Sequence, residues 1–146
     1  RRMTVIENML APAFAIQQSI TEARARAAEL LKFTGLEHLK DHYASDISGG
    51  QQRLLEFARM LMLRPCVLLM DEPFVGVHPD LKAKMIENIR TINAEDKTFV
   101  IVSHDLASVF GLCERIVVMD AGAKIADGTV DEIRSNPGVV EAYLGV

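Results

Sequence analysis

Two pairs of polar residues follow apolar runs in the second half of the sequence. Asp71 and Glu72 come directly after the run Val67–Met70, and Ser103 and His104 come directly after the next such run. In open α/β sheets, ligands bind beyond the carboxyl ends of the strands. The first carboxylate can hold Mg²⁺, usually through water, because hard oxygen ligands suit that ion. The second can orient and deprotonate an attacking water, and His104 can donate a hydrogen bond to a terminal phosphate.

The same residues also have a structural interpretation. Asp71 and Glu72 can merely end a strand and open a turn at Pro73. A histidine at the end of a strand often serves only as a hydrogen-bonding group, although the position of His104 after a second buried strand favours function. On these residues alone both interpretations stay open.

The segment Ile47–Gln51, with the sequence ISGGQ, is the most specific element of the chain. Its two glycines let the backbone come close to a ligand. The helix that follows offers free N–H groups and the positive end of its dipole, which suit a phosphate, and Ser48 adds a hydroxyl. The alternative is that Ser48 only caps the helix and that Gly49 and Gly50 only form a turn.

The elements that must position these residues change character along the chain. Capping-box spacing at Ser19 and at Ser48 predicts helices in the first half, and Pro79 opens a later one. Short apolar runs predict strands that are buried on both faces; they are Cys66–Met70, Thr98–Val102 and Arg115–Met119, the last turning into a hairpin at Asp120–Ala123. Strands alternating with helices predict an α/β fold with a parallel sheet. We therefore expect a helical subdomain over residues 1–60 and a sheet-containing part over residues 61–146.

Composition restricts the class of protein. The 146 residues fit one ordinary domain, and 49% of them are apolar. The net charge is −4 and no basic run occurs, so nothing indicates nucleic acid or a membrane surface as a partner. Cys66 and Cys113 are far apart, which disfavours a metal site or a disulfide framework. No apolar stretch approaches the roughly 18 residues that span a bilayer.

Taken together, the motifs resemble those of the ATP-binding-cassette (ABC) ATPases. The sequence reads ISGGQQR, then VLLMDEP after a short helix, then VSHD. That family has an LSGGQ signature, a Walker B strand ending in Asp-Glu, a D-loop and a switch histidine, in this order and at this spacing. The resemblance covers nearly the whole chain and implies ATP and Mg²⁺ as cofactors.

The resemblance implies a role for each matching residue. Asp71 would serve Mg²⁺ through water, Glu72 would be the general base, and His104 would contact the γ-phosphate. Four residues would face ATP that is held by a second ATPase subunit in a head-to-tail dimer: Ser48, Gly49, Gly50 and Gln51.

Two features depart from the family pattern. Ile47 replaces the usual leucine. His78 stands in the D-loop at a position where the family has an acid or amide that touches the partner's P-loop. The alternative is that His78 only caps the helix that begins at Pro79. No G-x-x-x-x-G-K-[ST] P-loop occurs. We therefore expect a fragment that lacks the P-loop strand and is inactive alone. Its strands Thr98–Val102 and Arg115–Met119 would then pair directly, be separated by another chain, preferably a second copy, or lie in a disordered region.

Within the family, the closest likeness is to the ATPase subunits of branched-chain amino acid importers. It rests on the D-loop form over Asp71–Pro79 and on the ending Glu141–Gly145. This implies permease subunits as partners, a peripheral position on the cytoplasmic face of the membrane, and no nucleic acid. Two rival functions remain: a soluble ABC ATPase of the DNA-repair type, disfavoured because no heptads occur, and a non-catalytic interaction module, disfavoured because Glu72 and His104 are retained.

Overall fold

The computed structural model describes residues 3–16 and 19–144, which form two compact units that meet in sequence between Val102 and Ser103. The first unit contains helices α1 (Val5–Ala15), α2 (Ile20–Thr34), α3 (Gly49–Leu61) and α4 (Pro79–Asn93), with strands β1 (Val67–Asp71) and β2 (Thr98–Val102). The second contains α5 (Leu106–Leu112), β3 (Ile116–Asp120), β4 (Ala123–Gly128), α6 (Val130–Ser135) and α7 (Pro137–Val139), followed by one π-helical turn over Val140–Leu144. The α/β fold and the helical part are confirmed. The predicted boundary between subdomains at residue 60 does not coincide with the boundary between the two compact units, and it stays a prediction.

Helix ends lie where the capping residues predict them. Ser19 accepts a hydrogen bond from the Glu22 N–H at the start of α2, and Gly35 ends that helix with a φ of 78°. This left-handed conformation costs glycine little because it has no Cβ. His78 caps α4, with Pro79 at its first position. Local hydrogen bonding thus fixes where each helix begins before any tertiary contact forms.

The core of the first unit lies between its four helices. Phe57, on α3, is fully buried, and its ring centroid lies 6.5 Å from that of Phe99 on β2. Burying a side chain of this size contributes about 1.5–3 kcal/mol. The other large residues that are almost fully buried here come from all four helices: Val5, Met9, Leu31, Leu54, Met85 and Ile89. The helices therefore hold α3 in place, and Phe57 brings it against β2.

The parallel sheet of the described residues has two strands. β1 and β2 pair in parallel, with Val67 opposite Thr98 and Asp71 opposite Val102. The prediction that these strands are buried on both faces is wrong for both. In β2, Val100 and Val102 are 50% and 60% exposed. In β1, Leu68 and Met70 are buried whereas Leu69 is 71% exposed. The described helices of this unit cover one face of the strand, so the apolar residues of the other face stay accessible.

The third predicted strand does not join the parallel sheet. β3 pairs antiparallel with β4, which corrects the prediction of three parallel strands and rules out direct pairing of β2 with β3 among the described residues. Ala121 and Gly122, with φ of 44° and 82°, form a tight turn whose twist matches a hairpin. The predicted hairpin is thereby confirmed, and filling by a second copy stays a prediction.

A separate small core stabilises the second unit. Val109, Ile116, Ile133 and Val139 are buried together. Arg115 binds the carboxylate of Asp127 across the hairpin at 2.9 Å, and Lys124, on the same strand as Asp127, binds it at 3.0 Å. Over residues 3–16 and 19–144, none of the helices is both apolar enough and long enough to cross a membrane.

Candidate functional site

The carboxylates predicted to do chemistry lie at the carboxyl edge of the parallel sheet. Asp71 is the last residue of β1 and is exposed, and the half-buried Glu72 follows it. The Glu72 N–H donates to the carbonyl oxygen of Val102 at 2.8 Å, so the strand ladder extends to the base candidate. Glu72 has a φ of 45°, a left-handed conformation that costs a residue with a Cβ about 1–2 kcal/mol. The sheet thus imposes a sharp turn directly at the candidate base.

This edge suits a magnesium ion that is shared with a phosphate ligand. No cluster of three or more His, Cys, Asp or Glu side chains that could hold a metal occurs in the described part of the chain. Asp71 therefore offers one exposed carboxylate rather than an all-protein cage. Mg²⁺ keeps several waters and is typically held by one or two carboxylates together with substrate phosphates, so the donor set fits that ion.

The second candidate element is the segment Ser48–Gln51, called here the signature turn. Ser48 and Gln51 form a complete capping box: the Gln51 N–H donates to Ser48 Oγ at 3.3 Å, and the Ser48 N–H donates to Gln51 Oε1 at 2.9 Å. The N–H groups of Gly49 and Gly50, the first two residues of α3, are among the four that a helix leaves without an internal acceptor. Capping and anion binding are compatible here, because the cap rigidifies the turn that presents the glycine amides.

Gly50 is buried against the loop that leads from the carboxylates to α4. A Cβ at this position would lie 2.9 Å from Leu81 Cδ1, 3.5 Å from Val77 Cγ1 and 3.8 Å from the backbone nitrogen of His78. A Cβ at Gly49 would contact no other part of the chain within 4 Å. The second glycine of the motif is therefore closely packed, so that a larger residue there would force Leu81 to shift, and the first leaves open space beside the helix N-terminus.

His78, the residue that departs from the family pattern, is an N-cap. Its Nδ1 accepts from the Asp80 N–H at a long 3.4 Å, and 71% of the side chain is exposed. The capping interpretation of His78 is confirmed, and any contact with a partner subunit stays a prediction.

His104 lies in the second unit, two residues after β2, and is exposed. Its carbonyl oxygen accepts from the Leu106 N–H, and the neighbouring Asp105 caps α5 through the Ser108 N–H. The structure thus places His104 on a capped turn at the end of a strand, as the sequence indicated. Its role toward a phosphate stays a prediction.

Two residues near the signature turn were not recognised from the sequence. Gln52 Nε2 donates to the carbonyl oxygens of Ala44 and Ile47, at 3.0 and 3.3 Å, and so ties the preceding loop to α3. The spacing of the apolar residues in α4 predicts only that Leu81 lies on the buried face of that helix. It gives no indication that Leu81 contacts Gly50. The buried side chain of Ile47, 7% exposed, anchors the same loop, which explains why isoleucine replaces leucine there without loss of an apolar contact.

Comparison with family models gives two matches. A model described as ABC transporter matches residues 1–75, and one described as Branched-chain amino acid ATP-binding cassette transporter matches residues 123–146. The first match includes the signature turn together with Asp71 and Glu72.

Curated relatives and solved structures agree with these models. The chain is 38% identical to the High-affinity branched-chain amino acid transport ATP-binding protein LivG of Salmonella typhimurium, over 99% of this chain and 63% of that protein. A probable LivG of Archaeoglobus fulgidus is also 38% identical, with 61% of its length covered. A crystal structure of the ADP conformation of MJ1267, an ATP-binding cassette of an ABC transporter, superposes with a TM-score of 0.83 at 33% identity, over 99% of this chain and 63% of that one. The chain thus spans less than two thirds of the length of these relatives.

Proposed function

Because this chain belongs to the ABC transporter family, we propose that it forms part of the ATP-hydrolysing subunit of a branched-chain amino acid importer. The names of the relatives and the family model over residues 123–146 support the solute class. The observation that carries the catalytic part is the pairing of Asp71 and Glu72 at the edge of the parallel sheet, in the same compact unit as the capped signature turn.

We propose that hydrolysis belongs to the full-length protein and that this chain alone is inactive. The chain covers 63% of its Salmonella relative, and its sequence contains no G-x-x-x-x-G-K-[ST]. In phosphoryl transfer, catalysis is almost entirely positioning and charge stabilisation, and the P-loop amides and lysine supply a large part of both. The residues of this chain would act on a phosphate that is held elsewhere.

The proposed mechanism assigns one task to each residue. Asp71 holds Mg²⁺ through water; when bound, that ion neutralises charge on the β- and γ-phosphates. Glu72 orients the attacking water and accepts its proton, and His104 donates a hydrogen bond to the γ-phosphate. The signature turn presents the Gly49 and Gly50 amides and the Ser48 hydroxyl to ATP on a second ATPase subunit, where the helix dipole favours negative charge.

The proposed partners follow from the same assignment. A second ATPase subunit completes the site in a head-to-tail dimer, and residues 1–60 contact permease subunits. This places the protein peripherally, on the cytoplasmic face of the membrane. We expect no nucleic acid partner.

The decisive experiment is Glu72→Gln in the full-length protein. The amide keeps the shape and the hydrogen bonding of the side chain but cannot accept a proton, so ATP binding should persist while steady-state turnover falls by roughly 10²–10⁴-fold. Glu95→Gln, the same chemical change at an exposed position after α4, is the matched control and should hydrolyse ATP like the wild type. Near wild-type turnover in Glu72→Gln would remove Glu72 from the base role.

A further inference from the structure

The first turn of α4 is seated against the first turn of α3. Leu81 Cδ1 occupies the space beside Gly50, only 2.9 Å from where a Cβ would stand, and Val77 lies on the same side. Leu81 is half-buried and Gly50 is buried. Since interiors are close-packed, an aliphatic group that fills this space sets how near the two helix N-termini can approach each other.

Leu81 lies at the end of a short, well-defined connection from the candidate base. The connection leaves β1 at Glu72, turns at Gly76 with a φ of 71°, and enters α4 at the His78 cap. The Val77 N–H donates to the carbonyl oxygen of Phe74 at 3.3 Å within this loop. One loop therefore begins at the catalytic carboxylates and ends against the signature turn of the same chain.

We infer that Leu81 is a positioning residue for the signature turn. It touches neither nucleotide nor metal; it acts through Gly50, by holding the start of α3 at a fixed distance from the loop that carries Asp71 and Glu72. This inference rests on the proposed function, because the position of the Gly49 and Gly50 amides matters to catalysis only if they bind a phosphate. A misplacement of about 1 Å can cost on the order of 10²-fold in rate, so a leucine outside the site can control turnover.

The first test measures the turn itself in the 146-residue chain. In Leu81→Ala, the amide protons of Gln51 and Gln52, both bonded to Ser48, should exchange faster with solvent, because the first turn of α3 loses its support. Ile86→Ala is the matched control: it removes an equally large, half-buried aliphatic side chain from the same helix. Equal exchange at Gln51 and Gln52 in the two variants would overturn the inference.

The second test measures turnover in the full-length protein. We expect Leu81→Ala to lower kcat about 10- to 100-fold while equilibrium ATP binding is unchanged, Leu81→Met to restore kcat, and Ile86→Ala to keep it. A general loss of stability would affect Ile86→Ala alike and would not be rescued by methionine. Wild-type kcat in Leu81→Ala overturns the inference.

The two failures are distinguishable. If the wild-type protein shows no hydrolysis that depends on Glu72, the proposed function is wrong, and the exchange measurement then decides by itself whether Leu81 positions the signature turn. If Glu72-dependent hydrolysis is present and the Leu81 variants behave like the Ile86 control, only the inference about Leu81 is wrong.

Discussion

Replacing the two glycines of the signature turn one at a time separates close packing from backbone freedom. Gly49 and Gly50 are the first two residues of α3, and neither has a positive φ. Alanine is therefore compatible with the backbone at both positions. What differs is the space beside the chain, which is open at Gly49 and is filled by Leu81 at Gly50.

The expected magnitudes follow from that difference. Where the backbone allows it, Gly→Ala stabilises a protein by about 0.4–1 kcal/mol through the unfolded state, and we expect this gain at Gly49. At Gly50 the new methyl would stand 2.9 Å from Leu81 Cδ1, roughly 0.6 Å inside the separation at which carbon atoms attract. Overpacking costs about 1–3 kcal/mol. Because Leu81 Cδ1 is the tip of a half-buried side chain that can shift, we expect the free energy of unfolding to differ between the variants by about 1–2 kcal/mol.

Urea unfolding of the 146-residue chain measures this difference. The chain has no tryptophan, so far-UV circular dichroism is the suitable signal, and equal m-values would show that the midpoints report stability. The double variant Gly50→Ala, Leu81→Ala supplies the internal control, because removal of the leucine should make alanine at position 50 as favourable as at position 49.

One result would refute the reasoning about Gly50. If Gly50→Ala proves as stable as Gly49→Ala while Leu81 is present, the close approach of the two helix N-termini does not exist in solution. If the double variant shows no coupling between the two changes, the cost arises from another neighbour of position 50.

Three further predictions concern other parts of the chain. The pKa of Asp127 is lowered from 3.8 to about 2, most strongly by the hydrogen bond from Arg115 and less by that from Lys124. The stability that this lowered pKa contributes is therefore present above pH 3.8 and lost as the pH falls toward 2. Arg115→Gln should raise the pKa of Asp127 in an NMR titration. His78→Asp should stabilise the chain in urea by up to about 1 kcal/mol, because aspartate is a better N-cap than a histidine bonded at 3.4 Å; equal or lower stability would contradict this. Ser48→Arg in the full-length protein should leave ATP binding to the monomer intact but block ATP-driven dimerisation, and a normal dimer in size-exclusion chromatography would refute the assignment in trans.

The elements that hold the candidate site were predictable because their signals are local. The caps at Ser19 and Ser48 place helix starts through hydrogen bonds that span only three residues. The order of apolar runs and polar strand ends located Asp71, Glu72 and His104 without any tertiary information. The motif ISGGQ likewise predicts a phosphate-facing turn, since its chemistry resides in adjacent residues.

Strand partners and burial required the tertiary structure. The run around Val117 has the same apolar character as β1, yet it pairs antiparallel with β4 through a two-residue turn, whereas β1 pairs in parallel with β2. Leu69 and Leu68 are chemically identical, yet one is 71% exposed and the other 2%. Periodicity identifies a strand, but it does not reveal which of its faces another element covers.

The sequence alone predicts candidate residues for the chemistry, because carboxylate pairs, glycine turns and helix caps are short patterns with their own physical meaning. The contact of Gly50 with Leu81, 31 positions later, and the end of the loop from Glu72 beside it became visible only in three dimensions. That contact is set by how α3 and α4 pack. Packing depends on the volumes of residues that are distant in sequence, and no local pattern encodes it.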